Sequence, residues 1–64
     1  MFGSVTDFDE VAGLGTVAGE DGRPYRFQCI EIADGSRAIE VGQAVVFALL
    51  PRFGAFQAGA LHKL

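Results

Sequence analysis

The chain has a single cysteine, Cys29, and no tryptophan. One thiol excludes an internal disulfide. One histidine, His62, and no Cys/His cluster argue against a structural zinc site, so no metal or other cofactor is expected. Cations are scarce and scattered: Arg23, Arg26, Arg37, Arg52 and Lys63 stand against eight acidic residues, for a net charge of −3 and a pI near 4.7. Proteins that hold nucleic acid electrostatically carry a basic patch. This balance argues against strong nonspecific binding to DNA or RNA. No apolar run approaches the ~20 residues of a membrane-spanning helix. The start, Met1-Phe2-Gly3-Ser4, has neither the charged nor the apolar region of a signal peptide. These absences predict a cytoplasmic protein with a reduced thiol and no membrane association.

What is present is half hydrophobic by residue count, within 64 residues. That length allows one domain, residues 1–64, with no linker, internal repeat or low-complexity segment. So short a chain buries a modest share of its surface, and packing plus strand pairing must hold it. Nine glycines punctuate it. Turn signals fall at Ala12-Gly13, Glu20-Asp21-Gly22, Asp34-Gly35-Ser36, Val41-Gly42-Gln43 and Pro51-Arg52-Phe53-Gly54. Short runs rich in β-branched and aromatic residues lie between them, the pattern of an all-β sandwich or barrel. Five strands are predicted, over Phe2–Asp9, Leu14–Gly19, Tyr25–Cys29, Ala44–Pro51 and Phe56–Lys63.

Alternation with period 2 assigns the faces. Tyr25 and Phe27 point inward, Arg26 and Gln28 outward. Val45, Phe47 and Leu49 point inward, and Val5, Val17, Ile32, Ile39 and Leu61 complete the expected core. Asp21-Gly22 is expected to supply the positive φ angles of a tight hairpin turn. Ile30–Ile39 is the longest connection, with a short helical turn expected around Glu31 and Ile32. Asp34 is placed to accept backbone amide protons in the turn that follows it.

The segment Gly3-Ser4-Val5-Thr6-Asp7-Phe8-Asp9-Glu10-Val11-Ala12-Gly13-Leu14-Gly15-Thr16-Val17 follows, without a gap, the spacing Gly-x-Val-x-Trp-Phe-Asp-x-x-Lys-Gly-Phe-Gly-Phe-Ile. Tyr25 to Cys29 with Ile32 follows Val-Phe-Val-His-Phe and its later Ile. Gly35 to Gln43 follows Gly-Phe-x-x-Leu-x-x-Gly-Gln, and Gly54 to Ala58 follows the last loop and strand with one extra residue. Over nearly its whole length the chain thus resembles the bacterial cold-shock protein family. The resemblance implies an OB-fold: a closed five-stranded antiparallel Greek-key β-barrel that binds single-stranded RNA or DNA.

Core and turn positions match the family, among them Gly3, Val5, Phe8, Asp9, Gly13, Gly15, Val17, Ile32, Gly35, Gly42, Gln43, Val45 and Phe47. The exposed stacking positions do not. The tryptophan is Asp7, the flanking phenylalanines are Leu14 and Thr16, and the third-strand Phe, His and Phe are Arg26, Gln28 and Cys29. The loop phenylalanine is Ser36 and the lysine is Ala12. Each base stacked on a ring contributes ~1–3 kcal/mol. Losing most of the rings leaves weak binding, with Phe8, Leu14, Thr16, Arg26, Gln28 and Arg37 as the candidate contacts.

Each candidate has a plainer reading. Phe8 is either one stacking ring or a wedge at the barrel edge. Arg26 and Arg37 can stack on a base or meet phosphate, or Arg26 can pair with Asp7 across the sheet. Cys29 reads as a small half-buried hydrophobe rather than a redox thiol, and His62 as an edge-strand residue. Asp7, Asp9 and Glu10 are too sparse for a calcium loop. No grouping has the parts of a nucleophile and its base, so no enzyme activity and no small-molecule substrate are expected. A second class of function comes from Val46, Ala48, Leu50, Phe53 and Phe56, apolar at outward or loop positions. Clustered, they would form an interface for a protein partner or a homodimer.

Overall fold

The computed structural model describes residues 1–64. Five strands form one antiparallel sheet: β1 (Phe2–Asp9), β2 (Leu14–Gly19), β3 (Pro24–Gln28), β4 (Ala44–Arg52) and β5 (Ala55–Lys63). Their order in the sheet is β3-β2-β1-β4-β5, so β1 is central and β3 and β5 are the edges. Strand bounds depart from the sequence reading by a residue at a few ends. Cys29 keeps one ladder-like bond, its amide donating to the Gly13 carbonyl (2.8 Å), but leaves the third strand because its carbonyl accepts from the Ile32 amide (3.2 Å) as the chain enters a 3-10 turn, Cys29–Glu31. No helix is long and apolar enough to cross a membrane.

No hydrogen-bonded ladder joins β3 to β5, so the sheet is not closed in the way expected. The 3-10 turn and the residues after it fill that place. Ile32 bridges to Leu61 in parallel, and the Ala33 amide donates to the Leu61 carbonyl (2.8 Å). Two bulges bend the strands. In β1 the register steps from Val5↔Val17 to Asp7↔Thr16, which leaves Thr6 as the extra residue. In β5 it steps from Val46↔His62 to Ala48↔Gly59, and Ala60 takes φ 49°. A bulge increases bend and twist and shifts the alternation beyond it. In β1 this lets both Val5 and Phe8 face the core.

Ten residues form the core: Val5, Val17, Tyr25, Phe27, Ile32, Ile39, Val45, Phe47, Ala58 and Leu61. Leu49, expected among them, is 36% exposed. It pairs with core residue Ala58 on the same face of the ladder and stands at the margin of the core, next to the exposed end of the β4–β5 hairpin. The β2–β3 turn also differs from expectation. Only Gly22 takes positive φ (79°), and the amides of Gly22 and Gly19 donate to Gly19 and Arg23 carbonyls (both 2.9 Å). That is a three-residue loop, type I followed by a left-handed glycine.

Candidate nucleic-acid interface

The outward face of β1, β2 and β3 gathers four of the six candidate contacts, Leu14, Thr16, Arg26 and Gln28, and Phe8 borders it from the core side. Register sets Asp7 beside Thr16 and Thr16 beside Arg26. One step along, Asp9 lies beside Leu14 and Leu14 beside Gln28. A shallow depression of about 290 Å³ is lined by Asp7, Phe8, Asp9, Ala12, Leu14 and Arg26. Its neighbour, about 270 Å³, is lined by Leu14, Arg26, Phe27, Gln28 and Gln57. Leu14 and Arg26 belong to both, so the two are continuous across the β3–β5 seam.

Gln57 is the residue that sequence reasoning missed. It comes from β5, and only the curl of the sheet sets it beside Gln28. No local pattern signals it.

Arg26 is exposed and makes no ion pair; the two salt bridges of the protein are Arg52–Glu31 and Lys63–Asp34. The Asp7–Arg26 pair considered from sequence does not form. Thr16 stands between them in the row, and two strand spacings are ~10 Å. Arg26 therefore presents a free guanidinium. Phe8 is half-buried, its ring parallel to that of Phe27 with centroids 5.9 Å apart. It packs against the core and still lines the depression, so it is wedge and lining ring together. Asp9 is a turn builder: its Oδ1 accepts the amides of Val11 (3.0 Å) and Ala12 (3.1 Å). Cys29 is half-buried against the core, beside Gly13, and His62 is exposed.

Arg37 lines neither depression. It lies in the connection between Ile32 and β4, exposed, with φ 57°. A separate cleft of about 370 Å³ opens beside that connection, lined by Glu10, Ser36, Ala38, Ile39, Glu40, Gln43 and Lys63. Lys63 Nζ there contacts Asp34 Oδ2 (2.9 Å) and donates to Ser36 Oγ (3.3 Å), while the Ser36 amide donates to Asp34 Oδ1 (2.9 Å), as the turn predicts. The Lys63 ammonium and then the Ser36 donors hold the Asp34 carboxyl well below the usual carboxylate range.

The five proposed interface residues do not form one patch. Val46, Ala48 and Leu50 share the outer face of β4; Val46 and Leu50 are half-buried. Leu50 folds over Gly59, where a Cβ would collide with it. Phe56 lies opposite Pro51, on the parity of buried Val45 and Phe47. Phe53 and Phe56 do not fold back over the sheet: they are 96% and 58% exposed at the β4–β5 tip.

No protein-family profile and no curated protein matches the chain.

Proposed function

We propose that this is a divergent cold-shock-type OB barrel that binds single-stranded RNA or DNA weakly through the outward face of β1, β2 and β3. The observation that carries the reading is Arg26. It is a guanidinium with no carboxylate partner, on a continuous surface with Leu14, Gln28 and half-buried Phe8, and paired with Thr16 across the ladder. A free arginine plane can stack on a base and meet phosphate together. The central place of β1 and the bridge from Ile32 to Leu61 that caps the open seam support the barrel assignment. Asp7 and Asp9, which line the same depression as Arg26, limit affinity, since their carboxylates repel phosphate.

The test is an NMR titration of labelled protein with a short pyrimidine-rich single strand in low salt. Shifts are expected at Phe8, Leu14, Thr16, Arg26 and Gln28, and Arg26→Ala should weaken binding. No shift at about 50 μM protein, already a weak-binding regime, overturns the reading. A protein-interaction module, with a homodimer as its simplest form, is the second reading. The exposure of Phe53 and Phe56 favours it.

A further inference from the structure

β4 runs on past the strand that covers it. β1 pairs with β4 from Ser4↔Ala44 to Phe2↔Val46, and Met1 then exchanges bonds with Phe47. The Phe47 amide donates to the Met1 carbonyl (2.8 Å), and the Met1 ammonium donates to the Phe47 carbonyl (2.7 Å). Beyond Phe47 no strand lies on that edge, while β5 pairs with the other edge as far as Arg52↔Ala55. Backbone groups alternate in direction along an antiparallel strand. Leu49 and Pro51 share the parity of Phe47, so theirs point to the open edge. Pro51 has no N–H. The edge thus offers one donor, the Leu49 amide, and two acceptors, the Leu49 and Pro51 carbonyls.

The side chains beside this edge are mostly apolar. On the core-side face Leu49 is 36% exposed and Phe56, paired with Pro51, is 58% exposed. On the outer face Ala48 and Arg52 are exposed and Leu50 is half-buried. The loop that follows is two residues, Phe53 (φ 52°) and Gly54 (φ 76°), both left-handed, the arrangement that favours Asn-Gly or Gly-Gly. Phe53 holds that strained backbone with its side chain 96% exposed. Residues 41–62 contain no acid, and Arg52 is their one cation.

An open edge is a template for another strand. A second copy of the same edge fits it in one antiparallel register, with the two-fold axis at Leu50. Leu49 then lies opposite Pro51 of the other copy, and its amide donates to that Pro51 carbonyl; symmetry makes the bond twice. Neither bond needs the donor that proline lacks. Arg52 falls opposite Ala48, not a second arginine. Leu49, Pro51 and Phe56 of the two copies adjoin on the core-side face. Each loop arrives beside the other copy's Met1, so the contact stops where the open edge stops. The register centred on Leu49 instead would drive Pro51 onto Phe47, whose groups Met1 already takes. Covering Phe53 and Phe56 in two copies removes roughly 600 Å² of ring surface. With Leu49, Pro51, Ala48 and the strand backbone the contact reaches about 1,000 Å², the lower bound for a specific interface.

We propose that the chain forms a weak homodimer by antiparallel pairing of the open β4 edges. This rests on the protein-interaction reading, gives it a second copy as partner, and does not involve the β1–β3 face. Each copy carries −3, so salt that screens the mutual repulsion should strengthen the dimer, the reverse of its effect on oligonucleotide binding.

The experiment is sedimentation velocity from about 10 μM to about 1 mM protein, the range in which so small an interface is populated, at low and high salt. Leu49→Pro removes the one edge donor and should weaken the dimer about tenfold or more. Ala48→Glu and Ala48→Arg test the register. Opposite Arg52 the first should strengthen the dimer and the second weaken it, each roughly threefold or more. Thermal melts verify that the variants fold, and Ala48 is exposed, so its pair of variants is decisive even where proline disturbs β4. A wild-type chain that stays monomeric throughout overturns both the edge pairing and the homodimer. A dimer that Leu49→Pro and the two Ala48 variants leave unchanged overturns the edge pairing alone. If Phe56→Ala then dissociates it, the rings hold the dimer and the protein-interaction reading stands.

Discussion

Two residues show most directly how the local chain serves packing and where it works against it. Gly15 is buried in β2, where a Cβ would lie 2.5 Å from the Phe27 ring and 2.8 Å from the Asp7 carbonyl oxygen. Neither can retreat: Phe27 is core and the Asp7 carbonyl belongs to the backbone of the neighbouring strand. Gly15→Ala should therefore cost about 1–3 kcal/mol through overpacking, read as a lower urea midpoint with an unchanged slope. Phe53 is the opposite case. Its side chain contributes nothing to the core and its backbone is strained, so Phe53→Asn should stabilise the protein by about 0.5–1 kcal/mol. Thermal melts should show the increase, and a lower melting temperature would mean that the Phe53 ring has a packing role. The glycine was legible from its place in the Gly13-Leu14-Gly15 turn and strand. The strain at Phe53 was not, because turn type depends on how many residues β4 and β5 leave unpaired.

At the scale of elements, two carboxylates tie turns to strands. Asp34 binds Lys63 of β5, and Asp21 in the β2–β3 loop accepts from the Tyr25 hydroxyl of β3. The Tyr25 hydroxyl and the Arg23 amide lower the Asp21 pKa, and the Asp21 carboxylate raises that of Tyr25. For Asp21 and Asp34 the folded pKa lies below the unfolded one. Their contribution is complete above the ordinary carboxylate pKa of about 4 and is lost as pH falls toward the folded value. Tyr25 runs the other way. Its contribution is complete below about pH 10 and is lost as pH rises through its raised pKa. Asp34→Asn should flatten the acid limb of a plot of melting temperature against pH, and Tyr25→Phe should flatten the alkaline limb. Circular dichroism melts from pH 2 to 11 (a range set by the ordinary pKa values) are the measurement, and unchanged limbs would mean these contacts do not persist in solution. The turn at Asp34 could be read in sequence because an Asp-Gly-Ser turn is local. Its partner Lys63 could not, since the two meet only when the sheet is folded.

For the whole molecule, the question is how much binding a −3 protein with few exposed rings can support. For single strands log K falls with log salt at a slope of about −0.7 per phosphate contact. With Arg26 as the contacting cation of the proposed face, the slope should be shallow, about −0.7. Arg26→Ala should reduce it by about 0.7. Affinities measured across a salt series check this, and a much steeper slope would mean that further cations, Arg37 or Arg23, take part. Strand alternation was enough to set Leu14, Thr16, Arg26 and Gln28 on one outward face. Arg37 lies apart from them, and a long connection has no period to fix where its side chains lie. Gln57 was invisible for the reason that hides every non-local neighbour: its position depends on the curl of strands far apart in sequence.

The order of residues along the chain was enough to set the number of strands, the turns between them and most of the core. Those depend on neighbours a few positions apart: alternation, β-branching, and glycines at the turns. It also set the charge balance, and with it the expectation of weak binding. The fold alone set the bulges at Thr6 and Ala60, the seam left without a ladder, and the exposure of Leu49. It likewise left Arg26 without a partner and Phe53 bare at the hairpin tip. Each of these depends on how strands distant in sequence stagger against one another, and stagger is settled by packing the whole core at once.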